Sequence, residues 1–144
     1  MRITTRGRYA LRASLALARL QDHNSPVSIN QLAQEEQISS VFLEQIFFKL
    51  RKAGIVSSVR GPGGGFQFAK TPEELTLLEI LQAAGEELDV TDCDKHAKVC
   101  EKTGVRCASH SVWEDITRIL KNYLEKTTLA MVINHETGRS LSEA

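Results

Sequence analysis

Between Ile55 and Ala69 the chain reads IVSSVRGPGGGFQFA, a stretch that no helix can hold. Proline removes a backbone donor and clashes with the preceding turn, and glycine carries the largest entropic cost of ordering. Ile55 to Arg60 is short and β-branched, whereas Phe66-Gln67-Phe68-Ala69 alternates as a strand does. The segment therefore predicts a β-hairpin with Gly61, Pro62, Gly63, Gly64 and Gly65 at its tip. A phosphate-cradling loop is the rival reading. It fails because no Gly-Lys-Ser/Thr follows Gly65 and no helix starts there.

What precedes the hairpin gives it a meaning. Thr5 to Leu20 places Tyr9, Ala13, Ala16, Leu17 and Leu20 at helical spacing. Ser28 and Gln31 stand three apart as a capping box for a second helix with Ile29, Leu32 and Ala33 on its apolar side. A third helix starts at Ser39 or Ser40, carries Leu43, Ile46, Phe47 and Leu50 on one face, and stops at Gly54. Two short helices with a tight connection fit any all-α domain as well as a helix-turn-helix. A hairpin directly after the second of them makes the unit a winged helix-turn-helix, with Arg60 at the base of the wing suited to a narrow, negative groove.

The net charge is zero, but it is divided. Residues 1–70 hold ten Lys or Arg against four Asp or Glu, and residues 71–144 hold eight against fourteen. A basic front on an acidic rear suits binding of a polyanion by one face. Arg2, Arg6, Arg8, Lys49, Arg51 and Arg60 are the expected phosphate contacts. The start, MRITTRGRY, lacks the apolar block of a secretory signal and no run is long enough to span a bilayer, so a cytoplasmic protein is expected.

Downstream, Thr76 and Glu79 form a second capping box, for a short helix ended by Gly85. The next twenty or so residues are polar and contain Cys93, Cys100 and Cys107. Val112, Trp113, Ile116, Ile119, Leu120, Tyr123 and Leu124 then repeat at three and four, predicting a long amphipathic helix that packs across a two-fold axis. Thr128 caps a last short helix, and a polar tail follows from Glu136. The fold expected is mainly α with a small β-hairpin wing. Its parts are a DNA-binding region at 1–72, a connecting helix and cysteine loop at 73–109, and a dimerisation helix with its tail at 110–144.

Three cysteines in fifteen positions, an odd number, argue against a disulfide framework and for a metal site or reactive thiols. With His110 they offer four donors to one centre, and His96 is a rival fourth ligand. Structural zinc sites prefer close cysteine pairs, which are absent. The longer, even gaps suit an iron-sulfur cluster. No acid-base pair or nucleophile arrangement stands beside the cysteines, so an enzyme is not expected.

Four segments together carry a resemblance: TRGRYA at 5–10, FLEQIF and LRKAG within 42–54, VRGPGGGF at 59–66, and CASHSVW at 107–113. They resemble the IscR-type iron-sulfur cluster regulators, of the winged-helix family that also holds the NsrR nitric-oxide sensors and the CymR cysteine regulators. The resemblance implies a homodimeric transcription regulator with recognition helices in successive major grooves of an operator. It also implies a 2Fe-2S cluster on Cys93, Cys100, Cys107 and His110, with iron-sulfur assembly proteins as further partners. Both gaps between cysteines are one residue longer here than in the IscR pattern, which leaves a 4Fe-4S centre open. Some relatives take a carboxylate ligand from the N-terminal helix; Arg8 at that position cannot serve, which favours His110. DNA contacts would fall on Ser39, Ser40, Val41, Glu44, Gln45 and Lys49, on Arg2 and Arg8, and on the wing from Arg60 to Gly65. The alternatives are a regulator with zinc or redox-active thiols in place of the cluster and, remotely, an iron-sulfur electron carrier, in which the wing would be idle.

Overall fold

The computed structural model describes residues 1–21, 25–93, 100 and 102–135; His96 and the polar tail from Glu136 lie outside these. Eight elements are described: α1 (Thr5–Leu20), α2 (Ile29–Glu36), α3 (Ser40–Lys52), β1 (Val56–Val59), β2 (Gly65–Phe68), α4 (Leu77–Ala83), α5 (His110–Lys126) and α6 (Leu129–Ile133). The mainly helical fold with one small hairpin is the expected one.

Local signals set the starts of these helices. In α2 the Ser28 hydroxyl accepts from Gln31 N at 3.1 Å while Gln31 returns its carbonyl to Ser28 N at 3.0 Å. Thr76 and Glu79 make the same reciprocal pair at the start of α4. Gln37, in the left-handed conformation, ends α2 and turns the chain into α3.

One apolar core joins the front and rear of the chain. It takes Ala10, Ala13 and Leu17 from α1, Leu43, Ile46, Phe47 and Leu50 from α3, Ile80 and Leu81 from α4, and Leu124 and Leu129 from the rear. The alanines let α1 pass close to α3 and α4, both of which it packs against. At its amino end, Thr4 donates its backbone N–H and its hydroxyl to the Glu86 carboxylate beyond α4.

The wing pairs antiparallel, Val56 with Phe68 through Val59 with Gly65. Gly65, read from sequence as part of the tip, is instead the first residue of β2. Phe66 makes two further hydrogen bonds, both 2.8 Å, with Val27 ahead of α2, so the wing is tied to the front of the helix-turn-helix as well as to its own partner strand. That approach explains the glycine. A Cβ on Gly65 would stand 2.2 Å from the Val27 carbonyl oxygen.

Gly65→Ala should therefore force the Val27 bridge apart. A loss of about 1–3 kcal/mol, the usual range for inserting a methyl into filled space, is expected in chemical denaturation followed by circular dichroism. Gly63→Ala, with open space around its Cβ position, should cost less.

Candidate functional site

The buried stripe of α3 fixes what the helix presents outward. With Leu43, Ile46, Phe47 and Leu50 inside, Val41, Glu44 and Gln45 are exposed, and Ser40 and Lys49 are half-buried. Ser39 caps the helix, its hydroxyl accepting from Phe42 N at 3.5 Å. The last turn of α3 holds three cations, Lys49, Arg51 and Lys52. Arg51 donates to the Ser58 hydroxyl of β1 at 3.3 Å, which joins helix and wing at the surface. Within the wing, Arg60, Gly61, Pro62 and Gly63 are exposed, whereas Gly64 and Gly65 are half-buried. Gly64 closes the tip by donating to the Gly61 carbonyl at 2.9 Å.

The other expected cations separate into two groups. Arg2 and Arg8 are exposed, and Arg8 stands next to Tyr9, whose ring meets Phe42 edge-on at 5.7 Å near the start of α3. Arg6, expected among the phosphate contacts, is half-buried against Gly85, with its Nε enclosed and without a hydrogen-bond partner. Its guanidinium is directed at the end of α4, away from the exposed set. Arg12 and Arg19 are both engaged by Glu36, at 3.1 and 2.8 Å.

At the rear, Cys93 and His110 line one open groove of about 980 Å³ along α5, together with Trp113, Thr117 and Lys121. The groove is fastened to α5 by Val90 N donating to Thr117 Oγ1 at 3.1 Å and by Lys121 to Asp89 at 3.1 Å. Cys100 opens a turn in which its own N–H reaches the Val105 carbonyl at 2.8 Å and Gly104 donates back at 2.7 Å. Cys107 lies just before α5, its Sγ 3.0 Å from Ser109 Oγ. Among the described residues no three metal-binding side chains converge, so the four predicted ligands are not gathered round one point.

The donor chemistry nonetheless fits a thiolate-bound metal group. Hydrogen bonds from the Lys102 and Thr103 backbone and the Thr103 hydroxyl hold the Cys100 thiol below its ordinary pKa. The Ser109 hydroxyl and N–H do the same for Cys107. The thiolate is the form that binds metal. His110 Nε2 is 3.1 Å from Glu114 Oε1, one helical turn on. With Nε2–H directed at the carboxylate, Nδ1 is the nitrogen left for a ligand, in the carboxylate–histidine arrangement that orients metal-bound imidazoles. Glu114 went unnoticed in the sequence, although its four-residue offset from His110 was there to be read.

Because the Ser109 hydroxyl favours the charged thiol, Ser109→Ala should move the pH midpoint of Cys107 alkylation upward in the metal-free protein. Mass-spectrometric iodoacetamide kinetics across pH reads this directly, and an unmoved midpoint would remove Ser109 from the account.

Known proteins align with this geometry along nearly the whole chain. Residues 3–135 match the model of the Rrf2 family, described as an iron-dependent transcriptional regulator. The HTH-type transcriptional regulator IscR of Photobacterium profundum is 36% identical, over 99% of this chain and 81% of its own. Among solved structures, CymR, the global cysteine regulator of B. subtilis, superposes with a TM-score of 0.78 at 27% identity, covering 94% of this chain and 98% of its own. T. potens IscR superposes with a TM-score of 0.73 at 29% identity, over 94% and 88%. With a family model spanning nearly all of its length and IscR proteins among its relatives, the chain belongs to the Rrf2 family of transcriptional regulators and is of the IscR type.

Proposed function

We propose that this regulator acts as a homodimer on a double-stranded operator and that an iron-sulfur cluster held by Cys93, Cys100, Cys107 and His110 controls it. The observation that carries the reading is that Cys93 and His110 face one groove at the root of α5, while Val112, Trp113, Ile116 and Ile119 stand exposed on that helix. A sensor segment and an unpaired apolar face thus share one element. Apolar patches of this kind mark interfaces. The division of labour follows the chain: 1–72 for DNA, 73–109 for the cluster, 110–144 for dimerisation.

On the DNA side, Arg2, Arg8, Lys49 and Arg60 neutralise phosphates and fix register. Ser39, Ser40, Val41, Glu44 and Gln45 meet base edges, and the wing from Arg60 to Gly65 follows the backbone into the neighbouring minor groove. Glu44 is repelled by phosphates and becomes favourable only by accepting from a cytosine amino group. Its carboxylate therefore rejects sites without a cytosine there, and Glu44→Ala should broaden sequence preference.

On the sensor side, a bound cluster, 2Fe-2S by the IscR pattern, supplies a cross-link whose presence depends on iron and oxidant. Hydrogen bonds lower the thiols of Cys100 and Cys107 from their ordinary value, which favours the thiolate form that binds metal. Glu114 holds the His110 ring, and Asp89 and Val90 pass the setting of the segment to α5 through Lys121 and Thr117. The same lowered thiols would equally suit a redox switch without iron. The optical spectrum separates the two. No helix among the described residues is long and apolar enough to cross a membrane.

Anaerobically purified protein should absorb in the visible and contain iron and acid-labile sulfide; the Cys93, Cys100 and Cys107 triple Ala variant should contain neither. Affinity for a bound duplex should differ between cluster-loaded and cluster-free wild type and not in the triple variant. Equal affinities throughout would dismiss the switch. Affinity should also fall steeply with salt, on the order of a thousandfold between 50 and 200 mM for six or more phosphate contacts. Separately, Ile116→Glu with Ile119→Glu should turn a dimer into a monomer in sedimentation equilibrium while leaving the helical circular dichroism in place.

A further inference from the structure

The outward stripe of α3 carries more apolar surface than water-facing positions call for. Val41 is 63% exposed and Phe48 56%, and with Glu44, Gln45 and Lys49 they line one shallow recess. Positions 41, 44, 45 and 48 share a helical face, opposite the buried stripe. The Phe48 ring is held in place, because the Arg51 guanidinium carbon sits 5.8 Å from its centroid while the same guanidinium donates to Ser58 on β1. An aromatic ring is thus braced by a cation at the corner between helix and wing.

We propose that Phe48, together with Val41, is a specificity-determining contact that reads the 5-methyl group of thymine in the major groove. The inference rests on α3 being the helix that enters DNA. Among the groups that base pairs display in that groove, the thymine methyl is the apolar one, and phenylalanine is among the side chains that meet it. Glu44 and Gln45 can bond to amino groups and acceptors but gain nothing from a methyl. Phe48 and Val41, on the same face, supply that missing recognition. The charge around the recess selects the partner: α3 holds Lys49, Arg51 and Lys52 against the single acid Glu44, which attracts a polyanion. Removing one methyl from such a contact weakens binding about fourfold.

The experiment uses the full chain and a pool of duplexes with a randomised core, from which the protein selects its own sites. Each thymine of a selected duplex is then replaced by deoxyuridine, which removes only the methyl, and the Kd is measured by fluorescence anisotropy. The expected result is at least one thymine whose replacement weakens wild-type binding about fourfold, with Phe48→Ser weakening the thymine duplex to a similar extent and showing no further loss on the deoxyuridine duplex. Phe48→Leu, which keeps an apolar side chain, should retain part of the preference and shows that the fold survives substitution. Unchanged wild-type affinity with deoxyuridine at every thymine would overturn the inference, as would a Phe48→Ser variant that still discriminates against deoxyuridine. If Phe48→Ser changed the sedimenting mass but not the thymine preference, the face would belong to a second copy of the chain. That result rejects the methyl contact and leaves DNA binding standing. If the pool yielded no enriched duplex and binding did not respond to salt, the DNA reading itself would fall, and this inference with it.

Discussion

The joint among Phe47, Phe66 and Val27 holds the front of the molecule together. Phe47 is wholly buried on α3, its ring 5.0 Å from that of Phe66 on β2, and Phe66 is hydrogen-bonded on both backbone groups to Val27. Phe66 therefore ties α3, the wing and the entrance to α2 to one another, beside the surface link from Arg51 to Ser58. A two-stranded hairpin is marginal on its own. Here it gains a third partner and an aromatic anchor, and so the spacing between α3 and the glycine tip is set before any DNA arrives. The tip from Arg60 to Gly63 can then stay exposed, closed only by the bond from Gly64 to the Gly61 carbonyl, without leaving the wing loose.

A second tie links the two halves of the chain. Glu86, buried beyond α4, accepts from the backbone and hydroxyl of Thr4, and Gly7 is the residue that leaves room for its carboxylate. The first turn of α1 has no acid of its own, so the carboxylate of Glu86 meets the positive end of that helix dipole. Three residues further on, Asp89 and Val90 reach α5. One short segment thus touches the helix that bears Arg8 and the helix that bears His110. The charge division read from composition acquires a structural form here, with the acidic rear contributing its buried carboxylate to the basic front.

What was legible in the sequence was local. Both capping boxes are realised, because Ser28 with Gln31 and Thr76 with Glu79 need only their own helical turn to meet. The apolar stripe of α3 is the one read from its spacing, since a period near four is a property of the helix itself. The glycine run announced the hairpin because nothing else could be built from it. What was not legible depends on distant partners. Nothing around Val27 signals a bridge to Phe66 thirty-nine positions away, and Gly65 looked like tip until that bridge made it strand. Arg6 resembles its exposed neighbours in sequence, and only the packing of α1 on α4 turns it inward. The cysteine segment is the limiting case. It has almost no apolar periodicity, so neither spacing nor core packing specifies how its donors are arranged.

That last absence has a thermodynamic consequence. A sequence with so few apolar residues has little apolar surface to set against the entropy of ordering, and a bound ligand can add to that balance. A ligand there changes the front of the chain only to the extent that it binds one arrangement of the two halves better than another. Its free energy has to pass through contacts that both halves share. Among the described residues the polar contacts concerned are Glu86 with Thr4 and Lys70 with Glu79 between the halves, and Val90 with Thr117 and Asp89 with Lys121 from the segment to α5. Each is a polar contact at the margin of an apolar core, the kind that can be remade without repacking side chains such as Phe47 or Leu17. On the reading proposed above, the unit of α2, α3 and the wing keeps its packing, and a ligand acts through these polar contacts, where a change costs least to the rest of the fold.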